Sequence, residues 1–309
     1  MSAFAKYAWL ALGYNVLVII WGVFLRASKS GDGCGEHWLT CNGELIPSAP
    51  QVKTIIEFSH RMTTAIDGIV MLILLGWAIK VFVSQRHTQS RQVLYAAIGS
   101  FFFVITEAAV GAGLVLTGNV AEAVTDVRPF WAMGHLINTF ILLTFLTLTA
   151  WFATRERRIS IKIDAKTVAL IGLGIVGLLA VGMSGSLAAL SNMLFPSQSL
   201  AEGVAKDFSG TSNVILRLRL SHPIMSILTS VYLIFLAGWL KARSEDATVG
   251  RWSNAVSLLV IGQVLFGGAT LLTLGPIVMQ LGHLLLADAV WIAFVLLVAS
   301  YLNAGKRLA

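Results

Sequence analysis

Charge is the scarcest commodity in this sequence. Asp, Glu, Lys and Arg make up 12% of its 309 residues, against about a quarter in an ordinary soluble domain. Hydrophobic residues make up 57%, and the mean hydropathy is +0.81. That balance excludes a water-soluble chain of this length and leaves a membrane protein. Cysteine occurs twice, at Cys34 and Cys41, and neither lies in an apolar run, so a thiolate metal site inside the membrane is excluded. The first apolar run follows a single Lys6. It is too long for a signal-peptide core and has no small-residue cleavage site, so it reads as a helix. No Arg- and Ser-rich stretch precedes it, which points to the plasma membrane of a prokaryote rather than an organelle.

Apolar runs near or above the ~20 residues that cross a bilayer fall at about 7–25, 62–83, 93–117, 130–152, 167–190, 220–240, 252–274 and 277–302. The expected fold is therefore all-α, an integral membrane protein with eight transmembrane helices. Lys6, Lys80, Arg86, Arg91, Arg155, Arg157, Arg158, Lys162, Lys166, Lys241, Arg243, Arg251, Lys306 and Arg307 all fall on one side of those spans. This bias puts both termini in the cytoplasm and the loops at 26–54, 118–129 and 191–213 outside. It also accounts for the net charge of +7 as a topology signal, and nothing further supports a nucleic-acid partner.

The two halves resemble each other in register. I-T-E-A-A-V-G-A-G-L at 105–114 matches I-G-Q-V-L-F-G-G-A-T at 261–270, and M-G-H-L-I-N at 133–138 matches L-G-H-L-L-L at 281–286. F-S-H-R at 58–61 matches L-S-H-P at 220–223. The chain reads as two parallel-repeat four-helix bundles, 1–153 and 154–309. An even number of spans per unit relates them by an axis along the membrane normal.

Four of the six histidines, His60, His135, His222 and His283, open spans two, four, six and eight at equivalent depth. His37 and His87 lie in loops. One intramembrane histidine is as readily packing glue as function, but four at one depth point to chemistry. Two imidazoles per four-helix unit suit axial ligation of an iron porphyrin better than zinc, which wants three or four protein ligands. Gly111, Gly113, Gly134, Gly267, Gly268 and Gly282 let helices approach or leave room for a flat ring.

The two units differ three residues before the first histidine, where one has Glu57 and the other Arg219. Glu57 is read as a proton-moving or charge-stabilising group, or else as an interfacial acid paired with Arg61 one turn on. Arg217 and Arg219 are read as partners of haem propionates. Cys34 and Cys41 read as a disulfide around Trp38, structural or redox active. Glu107, Asp67 and Asp288 either support the ligands or carry protons, or are simply satisfied buried polar residues.

The run C-G-E-H-W-L-T-C-N-G from Cys34, the motif I-E-F-S-H-R ending at Arg61, the single histidines opening spans four, six and eight, and the duplicated layout together resemble the haem A synthases. The resemblance covers essentially the whole chain. It implies oxidation of the C8 methyl of haem O to a formyl group, giving haem A, as in cytochrome oxidase assembly. It further implies that His60 and His135 flank the substrate, that Glu57 is the catalytic carboxylate, that His222 and His283 ligate haem b, and that the cysteines form the family's outer-loop disulfide. A haem O synthase is the implied partner; the electron donor is not indicated. Three departures stand out: Pro223 after the second-half histidine, no cysteine pair in the 191–213 loop, and Glu107 where glutamine is expected. A di-haem cytochrome oxidising quinol and a non-catalytic haem carrier are the alternatives.

Overall fold

The computed structural model describes residues 1–85, 88–154 and 164–304. Among them all regular structure is helical: α1 (Ala3–Ala27), α2 (Val52–Gln85), α3 (Thr88–Leu116), α4 (Arg128–Thr154), α5 (Ala165–Leu194), α6 (Leu200–Phe208), α7 (Val214–Leu218), α8 (Ser221–Ala242), α9 (Ala247–Leu272) and α10 (Ile277–Ala304). Eight stretches are long and apolar enough to cross a membrane, with α7 and α8 together supplying the sixth. The expected eight helices are therefore present, most of them extending past the apolar cores that announced them. Arg86, His87, Arg155, Arg157, Arg158, Lys162, Lys306 and Arg307 lie outside the described residues.

The helices start where side chains can take the free N–H groups of a first turn. Ser2 accepts from Ala5 N at 3.1 Å, Asp164 from Thr167 N at 2.8 Å, and Asp246 from Thr248 N at 2.7 Å. The sixth span is broken at Arg219–Leu220. Pro223 explains the break: it has no N–H to give the Arg219 carbonyl four residues back, and its ring crowds that carbonyl, so it fits only in the first turn of a new helix. The corresponding stretch of α2 has no proline and runs unbroken through His60.

Each of α1 to α4 packs on the next, and α1 closes on α4; α5, α8, α9 and α10 pack likewise. Contacts of α4 with α5 and α10, and of α1 with α10, join the two groups. One buried apolar cluster runs through α1–α4 and takes in Trp291, Val295, Leu296 and Ala299 of α10. The other is built from α5, α8, α9 and α10 around Leu233, Leu236, Leu240, Phe294 and Leu297. At the seam the Trp291 ring stacks on Phe140, centres 4.6 Å apart. Its indole N–H is shared between the Phe140 carbonyl at 2.7 Å and the Thr144 hydroxyl at 3.0 Å.

Candidate functional site

In the second half, α8 and α10 bring His222 and His283 together edge to face, ring centres 6.2 Å apart and planes at 81°. Ligand bonds of about 2 Å on each side of a metal, with ring nitrogens about 1.1 Å from ring centres, place two axial imidazoles about 6 Å apart. Each ring rests on a glycine of the preceding span. A Cβ added at Gly185 would lie 2.9 Å from His222 Cε1, and one at Gly267 would lie 2.8 Å from His283 Cε1. The Ser184 hydroxyl lies 3.0 Å from the Val181 carbonyl, to which it donates, and 3.2 Å from His222 Nδ1. In the tautomer with the ring proton on Nδ1, Ser184 Oγ accepts it and Nε2 is left as the ligand atom. His283 Nδ1 is buried with no partner among the described residues.

The first half repeats the cradle with different surroundings. A Cβ at Gly22 of α1 would lie 3.0 Å from His60 Cε1, and His60 Nδ1 is buried without a partner among the described residues. His60 and His135 are close enough to sense each other's charge. On α3, Glu107 Oε1 approaches His135 Nδ1 at 3.2 Å, an electrostatic contact whose angle falls short of a hydrogen bond. Asn138 Nδ2 donates to Glu107 Oε2 at 2.5 Å, and the Thr139 hydroxyl donates to Oε1. An open cleft of about 470 Å³ beside this helix face is lined by Val110, Val127, Phe130, Trp131, Gly134 and Asn138.

Glu57 and Arg219 occupy matching positions and do matching structural work with reversed charge. Glu57, 3% exposed, accepts from Cys34 N at 2.8 Å and from Arg61 at 2.5 Å. Arg61 also donates to the Trp38 and Thr40 carbonyls at 3.1 and 3.0 Å, so the pair anchors the first outer loop to α2. Arg219 anchors the 191–213 loop, donating to Asp207 at 2.5 Å, Asn192 at 2.9 Å and the Gly203 carbonyl at 3.0 Å. Arg217 is exposed.

Within the first loop the Cys34 and Cys41 sulfurs are bonded. Gly33 docks so closely on α2 that an added Cβ would collide with the Lys53 backbone. Its carbonyl accepts from Thr54 Oγ1 at 2.8 Å and Asn42 Nδ2 at 3.1 Å. The docked loop brings Trp38 to within 3.9 Å of where a Gly111 Cβ would stand. Lys29, 2.8 Å from Glu122, ties the end of α1 to the 118–129 loop; that hydrogen bond and the ammonium charge hold the Glu122 carboxyl below its ordinary range.

Asp67 Oδ2 accepts from Asn15 Nδ2 at 2.7 Å, while Asp67 Oδ1 and Asn15 Oδ1 are buried without a partner among the described residues. Asp288 is buried, and neither carboxylate oxygen has a partner among the described residues. Of the glycines singled out in the sequence, Gly267 supports a histidine ring, Gly113 and Gly282 make room for Trp131 and Phe266, and Gly134 and Gly268 meet nothing within 4 Å. Sequence reading passed over Gly22 and Gly185, and also Arg26, near enough to Arg128 and His135 to interact with both charges.

Among the described residues, no three His, Cys, Asp or Glu side chains gather at one point; the histidines come in pairs. A pair with free Nε2 atoms, resting on glycines that leave ring-wide space, fits a haem, whose porphyrin supplies the remaining ligands. This defines a class: a helical membrane protein with eight candidate spans and paired histidine sites near the ends of its helices. A family model described as COX15-CtaA, cytochrome oxidase assembly protein, matches residues 5–295. The chain belongs to that family, the haem A synthase family. A heme A synthase of Alkalihalophilus pseudofirmus is 25% identical over 279 residues, 90% of each chain. The protoheme IX farnesyltransferases of two strains of Thermus thermophilus are 39% and 38% identical over 307 residues, 99% of this chain and 50% of their own. The chain thus spans about half the length of these two Thermus relatives.

Proposed function

We propose that this protein is a haem A synthase, oxidising the C8 methyl of haem O to the formyl group of haem A. The observation that carries the reading is an asymmetry between matching histidine pairs. Beside the first pair stand Glu57 and Glu107, where the second half has Arg219 and Gln263, and the loop before the first pair is stapled by a disulfide, so we read the first half as the reacting site and the second as the holding site. The relative matched along 90% of both chains carries the name heme A synthase, whereas the farnesyltransferase name belongs to proteins of which this chain matches half.

In this reading 1–153 holds haem O between His60 and His135, and 154–309 holds haem b between His222 and His283. Methyl-to-formyl conversion removes electrons and protons and adds oxygen; His222 and His283 would hold haem b, which would supply one-electron transfer when bound. Ser184 orients His222, and Gly185 and Gly267 set the spacing of the second pair. Glu57 keeps the role of catalytic carboxylate, one turn from His60, in the position where it registers Cys34 and, through Arg61, Trp38 over the site. Arg26 and Arg217 are the propionate partners at the outer ends of the two halves, Arg219 being occupied with its loop. The histidine ends face outward in the plasma membrane, and a haem O synthase is the partner that delivers substrate.

The test is expression with and without a source of haem O, followed by extraction of the bound haems and their identification by mass and pyridine haemochrome spectrum. Haem A or a hydroxymethyl intermediate is expected only with haem O, and neither in Glu57→Ala. Unmodified haem b alone, in both halves and under aeration, would instead make this a di-haem cytochrome.

A further inference from the structure

A second chemical difference between the two halves sits behind the second histidine of each pair, away from the motif that the sequence made prominent. Glu107 on α3 has Gln263 as its counterpart on α9. Around Glu107 the polar side chains of Thr106, Asn138 and Thr139 use one another and the carboxylate, and His135 Nδ1, which makes no hydrogen bond among the described residues, stands 3.2 Å from Glu107 Oε1. Asn138 Nδ2 donates both to its carboxylate and to the Phe103 carbonyl at 2.9 Å. Thr106 donates to Asn138 Oδ1 at 2.7 Å and so fixes which way the amide faces. Thr139 donates from the other side. In the second half the counterparts of Thr106, Asn138 and Thr139 are Gly262, Leu286 and Ala287. There the Gln263 side-chain oxygen and His283 Nδ1 are both buried without partners among the described residues.

Resting on the assignment of His60 and His135 to the substrate haem, we propose that Glu107 is the positioning residue of the reacting site. Clamped by Asn138 and Thr139, its carboxylate stands 3.2 Å from His135 Nδ1, placed to take that ring proton when Nε2 is bound to iron. A carboxylate can only accept from the ring, so a small turn of the ring closes the contact into a hydrogen bond from Nδ1–H. A carboxylate behind a ligating histidine fixes the ring orientation and makes the ligand nitrogen more basic, and loss of such a partner typically weakens metal binding 10–100-fold. The holding site has no equivalent support behind His283 among the described residues. The two haems therefore differ in how strongly the second histidine donates to iron, in a way set by side chains that touch neither haem.

The experiment uses the purified full chain with haem b in the second site, titrated with haem O, and reads three quantities: haem O retention, the electron paramagnetic resonance g-values of the first-site haem, and its midpoint potential. His135→Ala run in parallel tests the ligand assignment itself; if it retains haem O with unchanged g-values, that assignment fails, whatever Glu107 does. With the assignment standing, Glu107→Gln is expected to weaken haem O retention at least tenfold, raise the first-site potential and move its g-values, while the second-site haem stays unchanged as an internal measure of folding. Asn138→Leu, which releases the clamp but keeps the carboxylate, shifts the same three quantities in the same direction by less. Should Glu107→Gln lose the second haem as well, Asn138→Leu decides alone. Wild-type retention, g-values and potential in a variant that keeps its second haem would overturn the proposal.

Discussion

At the scale of single residues, the histidines are placed by what lies behind them. An alanine Cβ at position 267 would stand 2.8 Å from His283 Cε1, closer than real Cβ contacts come, whereas Gly268 beside it and Gly262 have nothing within 4 Å. Gly267→Ala is therefore expected to push the ring out of line with His222 and lower haem retention in the second half by roughly tenfold, the low end for a lost supporting contact. Gly268→Ala and Gly262→Ala leave it unchanged. Haem-to-protein ratio by pyridine haemochrome checks this, and equal retention in all three would show that the ring has room to yield. The histidines were legible in the sequence because a polar residue inside an apolar run announces itself. Gly22 and Gly185 were not, because a glycine is ordinary in a membrane helix and its use depends on the neighbouring helix's rotation. Glu107 was noticed as an oddity, and Asn138 and Thr139 follow His135 at the spacing of one helical face. That these three meet on one carboxylate required knowing that α3 packs on α4.

At the scale of elements, each half fixes its outer loop through the residue one turn before the first histidine. The ion pair of Arg219 with Asp207 is shielded, the side chains 12% and 9% exposed. Arg219→Ala leaves the Asp207 carboxylate buried and unpaired, a situation that costs about 3–5 kcal/mol. The 191–213 loop has no disulfide among its own residues to hold it, so the expected result is rapid proteolysis between α5 and α8 while the spans stay intact. Removing both charges with Arg219→Met and Asp207→Asn leaves no orphaned charge and is expected to restore much of the protection. Equal cleavage of the single and double variants would mean that the carbonyl and amide contacts of Arg219, rather than the ion pair, hold the loop. The spans themselves were legible, since an apolar stretch of membrane-spanning length is a strong signal. Pro223 was noticed only as a departure after the second-half histidine; that it sets the break before α8 follows from the backbone. The anchoring of Cys34 N by Glu57 was not: the spacing of Glu57, His60 and Arg61 showed a shared face, but a bond between a loop N–H and a side chain 23 residues away depends on how the loop folds back.

At the scale of the whole molecule, the register of the repeated motifs implied two units, but nothing in the sequence said how they would meet, and in the structure α4 packs on α5 and α10 as well as on α1 and α3. Trp291 in an apolar run reads like any lipid-facing aromatic. In the structure it is 4% exposed and bridges α10 to α4 by stacking and two hydrogen bonds. In a bilayer, apolar contact between helices gains little over contact with lipid tails, so close packing and buried hydrogen bonds bear the association. His135 lies upstream of Phe140 on α4, as His283 does of Trp291 on α10, so the seam lies within a few helical turns of both sites. Trp291→Ala removes ring stacking and both hydrogen bonds, a change worth about 3–5 kcal/mol in a well-packed core. Trp291→Phe keeps most of the stacking and forfeits about 1 kcal/mol of hydrogen bonding. On heating, the wild-type protein and Trp291→Phe are expected to release both haems in one transition, the latter at slightly lower temperature. Trp291→Ala should release them in two, because each half retains its own cluster of buried apolar residues while the connection between them is cut. A single transition at the wild-type temperature in Trp291→Ala would place the coupling instead in the contacts of α1 with α10 and of α4 with α5.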